Sequence, residues 1–300
     1  MRKSFFVLML VLGLLAMVVV PAAAITNGKP DGNNHPYVGL LVFDVEVCDE
    51  NGENCTNVPA WRCSGSLIAP DVVLTAGHCT DGAVAARAYF DADTQVLTCP
   101  RDSEGNLIPG DCYPFGGADS EGLPYTNPKY RSAENPYGGG NGLPAFSYRD
   151  VGVVVLDEDV DVGGLAVLPT AGVVGSLKNK TGIDFVGYGV QYQLQIPGSF
   201  LLQPPPYYRW SGPRIRMYAP SELVSGKFVH SAEYMRLALN PGGGSGGTCF
   251  GDSGGPDLLG GTNTVLAVNS YVTNVNCSGV GYSARVDIPE VLEWINGFLL

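Results

Sequence analysis

Gly251-Asp252-Ser253-Gly254-Gly255-Pro256 is the stretch on which the reading of this chain turns. A serine set among glycines sits where the backbone can turn tightly, and such a turn aims two N–H groups, those of Gly251 and Ser253, at one point where an oxyanion would develop. Cys249 precedes it, and a glycine-rich run from Gly242 to Gly247 leads into it. A serine hydroxyl is a weak nucleophile at neutral pH, so the stretch has chemical meaning only with a base within hydrogen-bond reach.

Only three histidines can serve. His35, in Asn34-His35-Pro36, and His230, in an ordinary polar and apolar alternation, read as surface or packing residues. His78 lies in Thr75-Ala76-Gly77-His78-Cys79, where Cys79 can anchor it through a bridge to Cys63 on the preceding strand. A fixed imidazole is what general-base work requires. The imidazole in turn needs a carboxylate to hold its tautomer. Asp150 stands directly before the apolar run Val151-Gly152-Val153-Val154-Val155-Leu156, whereas Asp157 and Asp159 follow the strand and read as solvated turn residues.

With these residues in place the chain resembles a chymotrypsin-like, trypsin-fold serine protease. The chain order His78, Asp150, Ser253 is that of chymotrypsin and of neither subtilisin nor the α/β-hydrolases. Gly187-Tyr188-Gly189 stands where the family has Gly-Trp-Gly, and Trp294-Ile295 falls in the final helix. The resemblance spans Ile25 to Leu300 and covers Asp91 to Phe146 poorly. It implies an all-β chain of two six-stranded antiparallel barrels with a short C-terminal helix: a first barrel over about 25–165, a second over about 170–285, and the helix over 287–298. It implies a secreted serine endopeptidase with His78, Asp150 and Ser253 as catalytic triad, the Gly251 and Ser253 amides as oxyanion hole, and no metal or organic cofactor. It also implies an activation ion pair between the amine of Ile25 and Asp252. Its primary pocket would comprise Gly247, Thr248, Ser270, Tyr271, Val272 and Val280. Gly247 at the base carries no charge for lysine or arginine, and two valines narrow the walls, so cleavage after small apolar residues is expected. The alternative is a catalytically inactive secreted homologue acting as a binding module, and an esterase would use the same parts.

Composition agrees with strands joined by turns. The 300 residues include 41 Gly and 22 Pro, and strand-length apolar runs recur at Tyr37 to Phe43, Gly65 to Ala69, Val72 to Ala76, Val151 to Leu156, Asp184 to Tyr188, Val265 to Tyr271 and Tyr282 to Val286. Near the end, Asp287, Pro289 and Glu290 read as the capped start of a helix. Between Tyr89 and Tyr148 the chain turns rich in Gly, Pro, Asn and Asp, the mark of a long insertion. With 17 basic and 29 acidic residues the charge is −12, which excludes a nucleic-acid partner; a polypeptide substrate and a monomer are expected.

Arg2 and Lys3, the apolar run Phe5 to Val20 and the ending Ala22-Ala23-Ala24 read as a signal peptide over 1–24, too short for the roughly 20 residues that span a bilayer. The mature chain would be exported to the extracellular space or periplasm, with no membrane association after cleavage. Export makes disulfides the natural state of all eight cysteines, rather than a zinc site. Spacing suggests Cys48 with Cys55, Cys63 with Cys79, Cys99 with Cys112, and Cys249 with Cys277, although eight cysteines allow 105 connectivities. The resemblance supports the Cys63–Cys79 and Cys249–Cys277 pairs.

Overall fold

The computed structural model describes residues 25–94, 117–130, 148–196, 207–211, 214–224, 230–240, 246–274 and 276–299. Residues 1–24, the Cys99 and Cys112 pair and most of the insertion lie outside them.

Continuous apolar runs become strands buried on both sides or bent around a core. The first six are β2 (Val38–Val47), β3 (Thr56–Ala69), β4 (Val72–Thr75), β5 (Ala85–Tyr89), β6 (Ser120–Thr126) and β7 (Gly152–Leu156), preceded by the two-residue β1 (Lys29–Pro30). They close an antiparallel barrel in the order β2-β3-β4-β7-β6-β5. Register shifts between Phe43 and Asp44 and between Leu67 and Ala69 supply the bends that closure needs. Leu40, Leu41, Leu67, Leu74, Val153 and Val154 are among the buried core residues on its two faces.

The second half contains β8 (Gly182–Gly187), β9 (Tyr192–Ile196), β10 (Tyr207–Ser211), β11 (Met217–Glu222), β12 (Tyr234–Ala238), β13 (Pro256–Leu259), β14 (Val265–Val272) and β15 (Val280–Arg285). A seven-stranded sheet runs β1-β11-β8-β13-β14-β15-β12, while β9 and β10 form a separate hairpin. The sheet curls until a bridge between Leu223 and Leu237 brings β11 against β12. Six strands therefore make the second, curled unit, and β1 joins its edge. The all-β architecture expected from the sequence is the one observed.

One residue links the two halves from the inside. Arg216, directly before β11, is fully buried; its Nη1 donates to the carbonyls of Val38 at 3.0 Å and Phe90 at 2.9 Å, and its Nε to Asp31 Oδ2 at 3.1 Å. A buried guanidinium is tolerable only when so many acceptors replace water.

The chain closes with α1 (Pro289–Asn296), which buries Val291, Leu292 and Ile295. The expected capping by Asp287 does not occur: Ile288 is the N-cap residue, with no side-chain cap. The Asp287 carboxylate instead accepts the Val174 amide at 2.8 Å and the Arg285 guanidinium at 2.8 and 2.9 Å. A buried ion pair outcompetes the cap for the same oxygens. No helix among the described residues is long and apolar enough to cross a membrane.

Candidate active site

β4 ends at Thr75, and one helical turn, Gly77–Thr80, presents His78 at the barrel rim. Asp150 lies just before β7, which pairs with β4, so strand pairing brings the two residues together across 72 positions of sequence. The His78 amide donates to Asp150 Oδ1 at 2.7 Å, and the ring Nδ1 donates to Oδ2 at 2.9 Å. A carboxylate accepting from Nδ1 leaves Nε2 as the basic nitrogen. The Ser270 hydroxyl also donates to Asp150 Oδ2. Burial alone would raise the Asp150 carboxyl, but the His78 charge and these hydrogen bonds outweigh it and hold the carboxyl below its usual value. For His78, burial opposes the charged ring, yet the Asp150 charge and hydrogen bond outweigh it and raise the pKa above 6.5.

Ser253 comes from the loop before β13, and that loop is pressed against the His78 segment. Gly254 has φ +76°, and a Cβ there would stand 2.0 Å from Thr75 Oγ1 and 2.7 Å from the Ala76 amide nitrogen. Only glycine fits both the backbone and the gap. The Ser64 amide donates to the Ser253 carbonyl at 2.8 Å, tying the serine to β3. The Ser64 hydroxyl donates to the Gly251 carbonyl at 3.0 Å and accepts from the Tyr188 amide at 3.0 Å. That residue was not singled out from the sequence, because a lone serine within a strand carries no local signal. Among the described residues, neither the Gly251 nor the Ser253 amide donates to a protein acceptor, and the Ser253 hydroxyl closes no hydrogen bond. Nε2 of His78 stands 3.7 Å from Cys79 Sγ, and the imidazole is about one-third exposed. Contacts between nucleophile and base commonly tighten only when substrate is bound.

Asp252 turns the other way, fully buried. It accepts the Gly189 amide at 2.8 Å and the Cys249 amide at 2.9 Å. Burial pushes its carboxyl up to about 7, against the smaller lowering effects of these amides and of Arg62. Ile25 is also fully buried, and Thr26 exchanges backbone hydrogen bonds with Gly247 at 2.7 and 3.0 Å. The Ile25 segment is thus threaded beside Gly247, the residue expected from the sequence at the pocket base.

A cavity of about 150 Å³ beside Ser253 is lined by Thr248, Cys249, Phe250, Asn269, Ser270, Tyr271 and Val272. Gly247 and Val280 lie outside this lining: Val280 pairs with Ala238, and it is Gly281 that stands opposite Val272. Leu239 packs against Gly247 and Gly281: a Cβ on Gly247 would meet Leu239 Cβ at 2.8 Å and one on Gly281 would meet Leu239 Cδ2 at 2.9 Å.

The disulfides among the described residues join Cys48 to Cys55, Cys63 to Cys79, and Cys249 to Cys277. Two groups have metal-like proximity, Cys63 with His78 and Cys79, and Glu46 with Cys48 and Cys55, but their sulfurs are paired with each other. A disulfide sulfur is not a thiolate ligand.

The family model for trypsin matches residues 42–102, the segment that carries Cys63, His78 and Cys79. Among solved structures, HL collagenase is similar over 90% of this chain and 96% of its own, with 18% identity and a TM-score of 0.59. Human heparin binding protein is similar over 91% and 95%, with 16% identity and a TM-score of 0.52. No curated protein matches the sequence. At these identities the likeness is one of fold, and the fold is the chymotrypsin-like one.

Proposed function

We propose that this chain, with the fold of the chymotrypsin-like serine proteases, is a secreted serine endopeptidase that works through His78, Asp150 and Ser253. The observation that carries the reading is the pair of hydrogen bonds from His78 to buried Asp150, with the Ser253 loop packed against the same turn. Ser253 Oγ attacks the scissile carbonyl carbon as His78 Nε2 takes its proton; Asp150 stabilises the imidazolium, and the Gly251 and Ser253 amides receive the oxyanion. The tetrahedral intermediate collapses, the imidazolium gives its proton to the leaving amine, and an acyl-enzyme remains. Water, activated by the same imidazole, hydrolyses it.

The small cleft cavity walled by Val272 supports cleavage after small apolar residues, and its lining offers no carboxylate to a basic side chain. Three disulfides among the described residues support an exported protein.

A fluorophosphonate probe tests the proposal. Labelling at Ser253 that disappears in Ser253→Ala and falls sharply in His78→Ala is expected. A correctly matured chain that takes no label would instead be a binding module on a protease fold.

A further inference from the structure

A second cavity, about 600 Å³, opens among Lys29, Asp31, His35, Tyr37, Asp184 and Tyr218, and it shares no lining residue with the cleft beside Ser253. Its size is that of a small-molecule site. Three rings wall it: His35 stacks on Tyr218 with centroids 5.7 Å apart and planes 6° apart, and meets Tyr37 edge-on at 5.9 Å.

The polar groups are built, and several are unspent. His35 Nδ1 donates to Asp31 Oδ1 at 2.6 Å, and its Nε2, among the described residues, meets no partner. Tyr37 is only 6% exposed, yet its hydroxyl has no hydrogen-bond partner among the described residues and is not sealed from solvent. Asp184 accepts the Tyr218 hydroxyl at 2.8 Å and the Gly261 amide at 2.7 Å, which fixes its carboxylate and leaves further lone pairs.

These walls suit a positive charge better than a negative one. Ring faces and carboxylate lone pairs attract cations. Arg216 neutralises Asp31 from behind but is fully buried and cannot reach a ligand. Lys29 is the remaining cation at the wall, and its ammonium already lies 5.2 Å above the Tyr218 ring. The chain's charge of −12 would draw cations toward it.

We propose that this cavity binds an organic cation, the guanidinium or ammonium group of a basic side chain or of a free amine, in competition with the chain's own Lys29. The reading is independent of catalysis. Asp184 supplies the charge, the Tyr218 and Tyr37 rings the faces, and the Tyr37 hydroxyl an acceptor for N–H donors.

The test is calorimetric titration of agmatine into the full chain carrying Ser253→Ala. Lys29→Ala is expected to tighten binding about fivefold by freeing the ring face, and Asp184→Asn to weaken it about tenfold. An arginine-containing peptide binding more tightly than agmatine identifies a polypeptide as the source of the cation; equal affinity identifies a free amine. Lys29→Ala deletes an exposed side chain, so it keeps the test decisive even if Asp184→Asn disturbs the fold. No heat of binding up to about 10 mM agmatine overturns the proposal. So does binding that ignores both substitutions and is instead lost in Val272→Trp, which would place the cation in the cleft.

Discussion

Arg149 sets one guanidinium nitrogen, Nη1, 2.7 Å from both carboxylate oxygens of Glu233, joining the residue next to Asp150 to the segment that leads into β12. The first barrel supplies one partner and the second curled sheet the other. Arg149 holds φ at +50°, a left-handed conformation that costs a residue with a Cβ, and its Nη2 also stands 3.6 Å from Glu290 of α1. The ion pair holds the Asp150 turn in a shape it would not keep alone.

Arg149→Ala is therefore expected to lower kcat/KM about tenfold and to cost on the order of 1–3 kcal/mol of stability, because the pair is largely buried and Glu233 is left without it. The discriminating readout is the acid limb of the pH profile. A displaced Asp150 lets the His78 pKa fall back toward its ordinary value, so the limb moves to lower pH. Lost stability with an unmoved limb would make Arg149 a structural residue only.

Asp150 is expected to set the working pH. Burial opposes protonation of His78, but the Asp150 charge and hydrogen bond prevail and hold its pKa above 6.5. The base is the neutral ring, so kcat/KM rises as pH climbs through that pKa and levels off above it. Asp150→Asn should cost about 10⁴ in kcat, because an amide no longer holds the imidazole in the tautomer that leaves Nε2 basic. A wild-type acid limb centred below 6.5 would contradict the assignment.

The Ile25 amine is expected to be the activating partner of Asp252. With Ile25 bonded to Ala24 the Asp252 carboxyl has no ammonium beside it and burial pushes it up to about 7; a new ammonium would lower it. Cleavage after Ala24 should switch activity on, and a variant with one residue added before Ile25 should stay nearly inactive. Asp252→Asn in the cleaved protein should lose about 3–5 kcal/mol of stability. N-terminal sequencing of active secreted protein is the check, and a terminus other than Ile25 would refute it.

Asp257 is expected to limit stability at high pH. It lies fully buried on β13 between Phe185 and Ala267, and neither carboxyl oxygen closes a hydrogen bond of normal geometry. Burial raises its pKa well above 3.8, with only Ser283 easing the charge. Between the unfolded and folded pKa values the native state keeps a proton that the unfolded chain has lost, so stability from this group declines as pH rises. Asp257→Asn should flatten that slope and stabilise the chain at pH near 8. Urea melts at acid and alkaline pH decide it, and equal slopes in both proteins would count against it.

Val272 is expected to gate the primary pocket. Peptides with Ala or Val before the scissile bond should outperform those with Phe or Arg, and Val272→Gly should raise turnover of Phe about tenfold. Dominant cleavage after Arg in the wild type would overturn the pocket reading.

The glycine-flanked serine, the histidine held by its neighbouring cysteine and the acid before an apolar strand were legible as sequence because each is a local pattern: a few adjacent residues dictate a turn, an anchor or a strand start. So were the β architecture and the three cysteine staples among the described residues, which follow from apolar runs, turn residues and short loops. What the tertiary structure alone decided involves partners far apart in the chain. Ser270 reaches Asp150 across 120 positions, and Arg216 reaches Asp31 across 185. Asp287 reads as a helix cap by itself, but the fold supplies Arg285 and the Val174 amide, which use its oxygens first. The same holds for the cation-suited cavity, whose walls come from the N-terminal segment, β8, β11 and the turn after β13. Burial, and the choice of which charges must share it, is set by chain closure, so no local stretch of sequence carries that information.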